Sequence, residues 1–136
     1  MAELKRTDLS VRQERAILVG VILPGAAVDW QDPLGELAAL ARTAGAHVVD
    51  RLYQGRERVD PACYIGRGKA QELAELVRRH KADVIIFDND LSPAQIRELE
   101  KITRCKVIDR SELILDIFAS RARTRQARLQ VELAQL

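Results

Sequence analysis

Short apolar runs alternate with amphipathic stretches along most of this chain. The run from Ala16 to Leu23 is almost continuously apolar and rich in β-branched residues, as expected for a strand buried on both faces of a parallel sheet. Similar runs predict four strands in all, at 16–23, 46–53, 83–87 and 105–108. Helices of about 10–13 residues are predicted between them. The pattern therefore predicts an α/β fold: a small open parallel sheet with helices on both faces.

Local sequence signals predict where the helices begin and end. Asp32 followed by Pro33 predicts an N-cap and a first helical position, and Gly45 predicts the end of that helix. The segment 92–95, Ser-Pro-Ala-Gln, has the sequence of a capping box. Ser111 predicts the N-cap of the last helix.

The last helix is predicted to be long. Its apolar stripe runs to the last residue and consists of Phe118, Ala122, Leu129, Leu133 and Leu136. At 1.5 Å per residue, about 26 residues reach well beyond a small sheet, so we expect a projecting helix that needs a partner helix. This favours a piece of a longer protein, with dimerisation through a coiled coil as the alternative.

This pattern predicts that the chain is divided into three parts. We expect a flexible N-terminal segment over 1–14 and an α/β subdomain over 15–110. Residues 111–136 are expected to form the first long helix of a truncated helical subdomain.

Composition narrows the class of protein. With 136 residues and 47% apolar positions, the chain can bury a core and is not a disordered tail. It has neither the apolar run of about 18 residues that a membrane span needs nor a secretory signal. Its two isolated cysteines, Cys63 and Cys105, exclude a disulfide framework. We expect one cytoplasmic domain.

Positive charge is concentrated in two segments. Residues 51–69 and 121–136 each carry a net charge of +3, which leaves −4 for the rest because the whole chain is +2. Seventeen of the 22 basic residues are arginine, whose guanidinium suits bidentate phosphate contacts. An ordinary solvated surface is the alternative interpretation.

The first basic segment ends in a distinctive loop, Tyr64-Ile65-Gly66-Arg67-Gly68-Lys69, which leads into a helix. Glycines before a helix can expose backbone amides to an anion, and the two cations would add charge. The loop is not a Walker A motif, because Cys63 and Ala70 occupy places that require glycine and a hydroxyl residue. Three interpretations stay open: a phosphate or RNA-backbone contact, a structural turn, and a small-nucleotide site.

The second basic segment places arginines on the last helix. Arg121, Arg125 and Arg128 share one face and could contact RNA phosphates, or form salt bridges to a missing partner helix. Aromatic residues make up only 4% of the chain, so RNA contact would involve backbone and shape more than bases. His47 and His80 lack neighbours at ligand spacing. We predict no catalytic residue, no cofactor site and no metal site.

Three strings resemble the N-terminal region of the HflX family of GTPases: YIGRGKAQEL at 64–73, DVIIFDNDLSPAQIRELE at 83–100 and VIDRSELILDIFASRARTRQARLQVELAQL at 107–136. The resemblance covers roughly residues 15–136 and departs at Gln126, where related sequences commonly have Glu. It implies an α/β subdomain followed by two long helices and a Ras-like G domain. It also implies binding to the large ribosomal subunit, with the N-terminal region reaching ribosomal RNA near the peptidyl-transferase centre.

The resemblance also supplies candidate site residues. Those that match family motifs, and are therefore the candidate RNA contacts, are Gly66, Arg67, Gly68, Lys69, Arg121, Arg123, Arg125 and Arg128. GTP and Mg²⁺ are implied for the parent protein, whose ligands have no counterpart in this sequence. The function predicted is thus a non-catalytic domain that binds the large ribosomal subunit and its rRNA, and contacts the second helix and G domain of its own chain. A small α/β nucleotide-binding module using Gly66–Lys69 is the alternative.

Overall fold

The computed structural model describes residues 10–135, in which strands and helices alternate strictly. The elements are β1 (Arg15–Ile22), α1 (Gly35–Thr43), β2 (His47–Gly55), α2 (Arg67–His80), β3 (Val84–Phe87), α3 (Pro93–Thr103), β4 (Lys106–Asp109) and α4 (Arg110–Ala134). This confirms the predicted α/β class, and each predicted strand agrees with the observed one to within two residues at either end.

The four strands form one parallel sheet in the order β2-β1-β3-β4. The loops that follow the strands therefore meet at one edge of the sheet, called here the carboxyl edge. Each helix then returns to the opposite, amino edge. β2 lies on one side of β1, and β3 and β4 lie on the other. The order of the strands thus reverses between β1 and β3. The carboxyl ends of these two strands mark the topological switch point, where open α/β sheets usually bind ligands.

Alternate residues of β1 enter two separate cores. Ile17, Val19 and Val21 pack with α2 and α3 on one face, and Ala16 and Leu18 pack with α1 and α4 on the other. All five side chains are buried. Helices thus cover both faces, as the continuous apolar run of β1 predicted. The two sides are called here the α2–α3 layer and the α1–α4 layer.

The capping box predicted for α3 is confirmed. The hydroxyl of Ser92 accepts a hydrogen bond from the Gln95 amide at 3.2 Å, and the Gln95 side chain accepts one from the Ser92 amide at 2.9 Å. The predicted end of α1 is also confirmed, because Gly45 has a φ of +88°, which favours glycine.

The predicted start of α1 is wrong. Leu34 is the N-cap, two residues later than predicted, and no side chain caps the helix. The carboxylate of Asp32 instead accepts a hydrogen bond from the Arg51 guanidinium at 2.7 Å. A partner on β2 that is distant in sequence thus competes with the local capping role, while Leu34 is drawn into the core at 3% exposure.

The predicted cap of α4 is also wrong. Asp109 is the N-cap, with its carboxylate accepting a hydrogen bond from the Glu112 amide at 2.9 Å. Ser111 lies in the first turn and donates its hydroxyl proton to Asp90 at 2.7 Å. The helix therefore begins directly after β4, with no intervening loop.

α4 projects from the domain, as predicted. Leu113 and Ile117 are its buried residues, and every position from 118 to 135 is exposed. Asp116 accepts a hydrogen bond from the amide of Val11, just before β1, at 3.4 Å, so the helix has reached the amino edge by this point. The last residue of the predicted apolar stripe, Leu136, lies outside the described residues.

The packed part of the chain starts before the predicted boundary at residue 15. Val11 is fully buried in the α1–α4 layer. The Lys106 ammonium donates to the carbonyl of Ser10 at 2.9 Å and pairs with Glu14 at 2.6 Å. Residues 10–14 are thus attached to the domain, and residues 1–9 lie outside the described part.

Candidate nucleic-acid interface

A hydrogen-bonded turn fixes the loop between β2 and α2. The carboxylate of Asp60 accepts hydrogen bonds from the amides of Ala62 at 2.8 Å and Cys63 at 3.1 Å. These two donors lower the pKa of Asp60. Asp60 and Tyr64 also exchange two backbone hydrogen bonds, at 3.0 and 2.9 Å. The loop therefore has a defined shape before it reaches Gly66.

Tyr64 anchors this loop on the α2–α3 layer. Its ring contacts the ring of Phe87 edge-to-face, with centroids 6.3 Å apart, and burial raises the pKa of its hydroxyl. Its backbone is left-handed, with a φ of 69°, a conformation that is uncommon for a bulky residue. The neighbouring Ile65 is fully buried. Core packing thus holds the chain in position just before α2 begins.

The N-terminus of α2 has no capping side chain. Gly66 is the N-cap, with an extended backbone, and the first turn contains no acidic residue. Arg67 and Gly68 are exposed, and Lys69 is half-buried and pairs with Glu72 at 3.2 Å. The partial positive charge of a helix N-terminus is therefore reinforced by cations, an arrangement suited to anions.

The sequence predicted that the two glycines lie before the helix and expose their amides to an anion, and the structure differs at both. Gly68 lies inside α2, and a Cβ there would have open space around it. The amide of Gly66 is already used, because it donates to the side-chain oxygen of Gln54 at 3.0 Å. A Cβ on Gly66 would lie 2.6 Å from the Arg56 guanidinium, which covers this part of the loop. The amides open to an anion are thus those of the first turn of α2.

The fold brings further cations to the same place. The Arg56 guanidinium lies beside Gly66, and its Nε donates to the carbonyl of Arg58 at 2.9 Å. The Arg58 side chain is exposed. We call Arg56, Arg58, Arg67 and Lys69 the basic loop surface. Arg51, from the same basic segment, is paired with Asp32 instead. Sequence reasoning counted Arg56 and Arg58 in the charge of the segment but did not select them as site residues.

The arginines of α4 form a second surface, the helix arginines, consisting of Arg121, Arg123, Arg125 and Arg128. All four are exposed. With 3.6 residues per turn, three of them lie within an arc of about 60°, and Arg123 points to the other side of the helix. Beside this arc runs an exposed apolar stripe that includes Phe118, Leu129 and Leu133, each at least 60% exposed.

The structure does not bring the two predicted groups together. The basic loop surface lies at the carboxyl edge, where α2 of the α2–α3 layer begins. α4 belongs to the opposite layer and reaches the amino edge by Asp116, so its arginines lie past that edge. The candidate RNA contacts thus form two separate surfaces.

The acidic residues after β3 have structural partners. Asp88 pairs with the Arg110 guanidinium at 2.9 Å, and Asn89 accepts from the amide of Val21 at 3.1 Å. Asp90 accepts from Ser111, so neither Asn89 nor Asp90 caps the following helix. Asp88, Asn89 and Arg110 border a cavity of about 260 Å³ at the switch point. They join β1, β3 and α4 rather than forming an acidic pair.

The two histidines belong to neither the basic loop surface nor the helix arginines. His80 pairs with Asp50 at 2.8 Å, and His47 is exposed on β2. Within residues 10–135 no group of three or more potential ligands could hold a metal ion. No helix in that part of the chain is long and apolar enough to span a membrane.

Comparison with known proteins gives one consistent family. A family model described as "GTP-binding GTPase N-terminal" matches residues 31–119. The chain is 43% identical over 136 residues to GTPase HflX of Alkalihalophilus pseudofirmus, covering 31% of that protein. It is 48% identical over 129 residues to GTPase HflX of Lacrimispora saccharolytica, covering 30% of it, and 46% identical over 123 residues to that of Escherichia coli, covering 28%. The chain thus spans about a third of the length of these curated relatives.

Solved structures agree on the fold. A crystal structure of SsGBP with GDP superposes with a TM-score of 0.63 at 22% identity, covering 90% of this chain and 34% of that one. A GTP-binding protein of Sulfolobus solfataricus, also with GDP, gives a TM-score of 0.57 at 21% identity over 79% of this chain and 30% of that one. At these identities the likeness concerns the fold alone.

Proposed function

Because the chain belongs to the HflX family of GTPases and corresponds to its N-terminal domain, we propose that it is a non-catalytic domain that binds the large ribosomal subunit in the cytoplasm through rRNA phosphates. In the complete protein, this docking would be coupled to GTP-dependent movement of the G domain, and in this way to ribosome splitting or rescue. The chain's own contribution is electrostatic and shape-based binding.

The N-terminus of α2 carries this proposal. It lacks a capping side chain and an acidic residue in its first turn. Arg67 and Lys69 lie in that turn, and the Arg56 guanidinium lies beside Gly66. Acidic residues are favoured in the first turn of a helix, so their absence beside these cations leaves a place for an external anion. The RNA backbone carries one phosphate anion per nucleotide, so it presents such anions at high density.

The residues of this chain do not fit GTP with Mg²⁺. Ala70 is fully buried and has no hydroxyl for the metal, and Cys63, where a Walker A motif requires glycine, is buried too. The Gly66 amide is also engaged with Gln54. We therefore assign GTP and Mg²⁺ to the G domain of the family. The same contacts argue against the alternative of a small nucleotide site at Gly66–Lys69.

Cosedimentation with large ribosomal subunits at about 50 and 200 mM salt tests the proposal. One variant changes Arg58, Arg67 and Lys69 to Gln; Arg56 is kept because it shapes the loop. A matched control changes three exposed cations elsewhere, Arg42, Arg97 and Lys101, to Gln.

We expect salt-sensitive binding that the control retains. Each phosphate contact contributes about 0.9 to the slope of log affinity against log salt, so the loop variant should reduce that slope by about 2–3. Binding that ignores salt, or that the control weakens as much as the loop variant, would contradict the proposal. Saturable binding of GTP or ATP by this chain, lost in Lys69→Ala, would favour the nucleotide module instead.

A further inference from the structure

We infer that Trp30 and Tyr53 form a surface on which an unpaired base of single-stranded RNA stacks. This inference rests on the proposed function and goes beyond it, because phosphate contacts alone bind the backbone of any RNA. It adds a contact to the flat face of a base, made by two residues that sequence reasoning did not select.

The five aromatic residues of the chain fall into two groups. Tyr64 and Phe87 contact each other in the α2–α3 layer, where their rings contribute to the core. The other three are largely exposed: Trp30 at 68%, Tyr53 at 48% and Phe118 at 61%. Trp30 and Tyr53 lie near the carboxyl edge, whereas Phe118 lies on α4 next to the amino edge. Two rings near the carboxyl edge thus present much of their area to an external partner.

A hydrogen-bonded turn between β1 and α1 carries Trp30. The amide of Asp32 donates to the carbonyl of Asp29 at 3.0 Å, and the carboxylate of Asp29 accepts from the amide of Gln31 at 3.0 Å. The carboxylate of Asp32 pairs in addition with Arg51 of β2 at 2.7 Å. The turn is therefore attached to the sheet, so the exposed indole stands on a backbone of defined shape. Such an arrangement lowers the entropy that is lost when a ligand binds.

The same ion pair places this turn beside Tyr53. The register of β2 with β1 is regular from Asp50 onward, so Arg51 and Tyr53 point to the same face of the sheet. Their Cα atoms are about 7 Å apart, because they are two positions apart in a strand. Trp30 is in turn two positions from Asp32, which holds Arg51. The two rings thus lie on one side of β2, close enough to contact neighbouring bases of one strand.

Cations lie directly beside these rings. Tyr53 is three positions before Arg56, so their Cα atoms are at most about 10 Å apart. The side chain of Gln54, between them, points to the other side of β2, where it accepts from the Gly66 amide. The end of β2 therefore has aromatic rings on one side and the basic loop surface on the other. Proteins bind single-stranded nucleic acids with this combination, bases on rings and phosphates on cations, whereas an apolar protein segment would match only the rings.

The fluorescence of Trp30 tests the inference directly, because it is the one tryptophan of the chain. A base that stacks on an indole quenches its emission. The chain is titrated with an unstructured RNA of about eight nucleotides, and separately with a duplex of the same length, whose bases are already stacked on each other. We expect saturable quenching by the single strand and little quenching by the duplex.

Substitutions separate stacking from a structural role. Trp30→Ala should weaken binding of the single strand roughly 5–150-fold, the range for one stacked base, and Trp30→Phe should recover much of this loss. Tyr53→Thr keeps a residue suited to a strand and should also weaken binding. Phe118→Ala removes a similarly exposed ring from another part of the domain. It is the matched control and should bind the single strand as the wild type does.

Three other results would overturn the inference in different ways. A single strand that binds without quenching, or that binds Trp30→Ala as tightly as the wild type, would overturn stacking and leave the proposed function intact. Weaker binding of Trp30→Ala to large ribosomal subunits, without quenching by either RNA, would assign Trp30 to a protein contact instead. A wild-type chain that binds neither the RNAs nor large subunits would overturn the proposed function as well.

Discussion

Replacing Asp109 by alanine tests how α4 is started and held. Its side chain is buried, with 6% exposure, and each carboxylate oxygen accepts one backbone hydrogen bond. Oδ1 accepts from Glu112 at 2.9 Å and so caps α4, and Oδ2 accepts from Leu91 at 3.1 Å in the loop before α3. One carboxylate thus joins β4, α4 and the α3 loop.

The expected loss of stability follows from these two bonds. Removing an N-cap side chain costs about 1 kcal/mol. Leaving the buried Leu91 amide without its acceptor adds about 1–3 kcal/mol, which brings the total to about 2–4 kcal/mol. Ser111, the cap that the sequence predicted, is exposed and donates to Asp90, so Ser111→Ala should cost less than about 1 kcal/mol.

Urea unfolding followed by circular dichroism measures both variants. With a slope of about 2 kcal/mol per M, Asp109→Ala should lower the midpoint by about 1–2 M without changing the slope. Asp109→Asn keeps one acceptor and should fall between the two. A midpoint for Ser111→Ala as low as that for Asp109→Ala would refute the assignment of the cap.

Three further predictions concern the core and the loop. Backbone hydrogen bonds lower the pKa of Asp60, so its carboxylate stabilises the fold at neutral pH. This contribution is lost as the pH falls below about 4. Asp60→Asn should therefore flatten the acid side of a curve of unfolding free energy against pH. Burial raises the pKa of Cys105 to about 12, so a thiol reagent at pH 8 should modify it only after unfolding in urea. A Cβ on Gly20 would lie 2.7 Å from Leu34, so Gly20→Val should lower the unfolding free energy by about 1–3 kcal/mol, measured in urea.

Local signals succeeded where the decisive interactions are local. The capping box of α3 consists of two hydrogen bonds between residues three positions apart, so the sequence contains both partners. The parallel arrangement of β1 was also readable, because a strand buried on both faces must be apolar at nearly every position.

Local signals failed where a distant residue competes. Asp32 and Ser111 are good N-cap residues, yet Arg51 and Asp90, 19 and 21 positions away, take their side chains. Asp109, the actual cap of α4, lies at the end of a strand and is buried by packing. The N-caps of α1 and α4 therefore cannot be predicted without the positions of the neighbouring strands.

The sequence by itself determined the α/β class, the strands, the length of the final helix and the two segments that carry the positive charge. These follow from residue type and short-range periodicity. Only the tertiary structure decided that Arg56 lies beside the start of α2, and that the arginines of α4 lie at the opposite edge and layer. The strand order and the direction in which each helix returns fix those positions, and both depend on contacts between residues far apart in the chain.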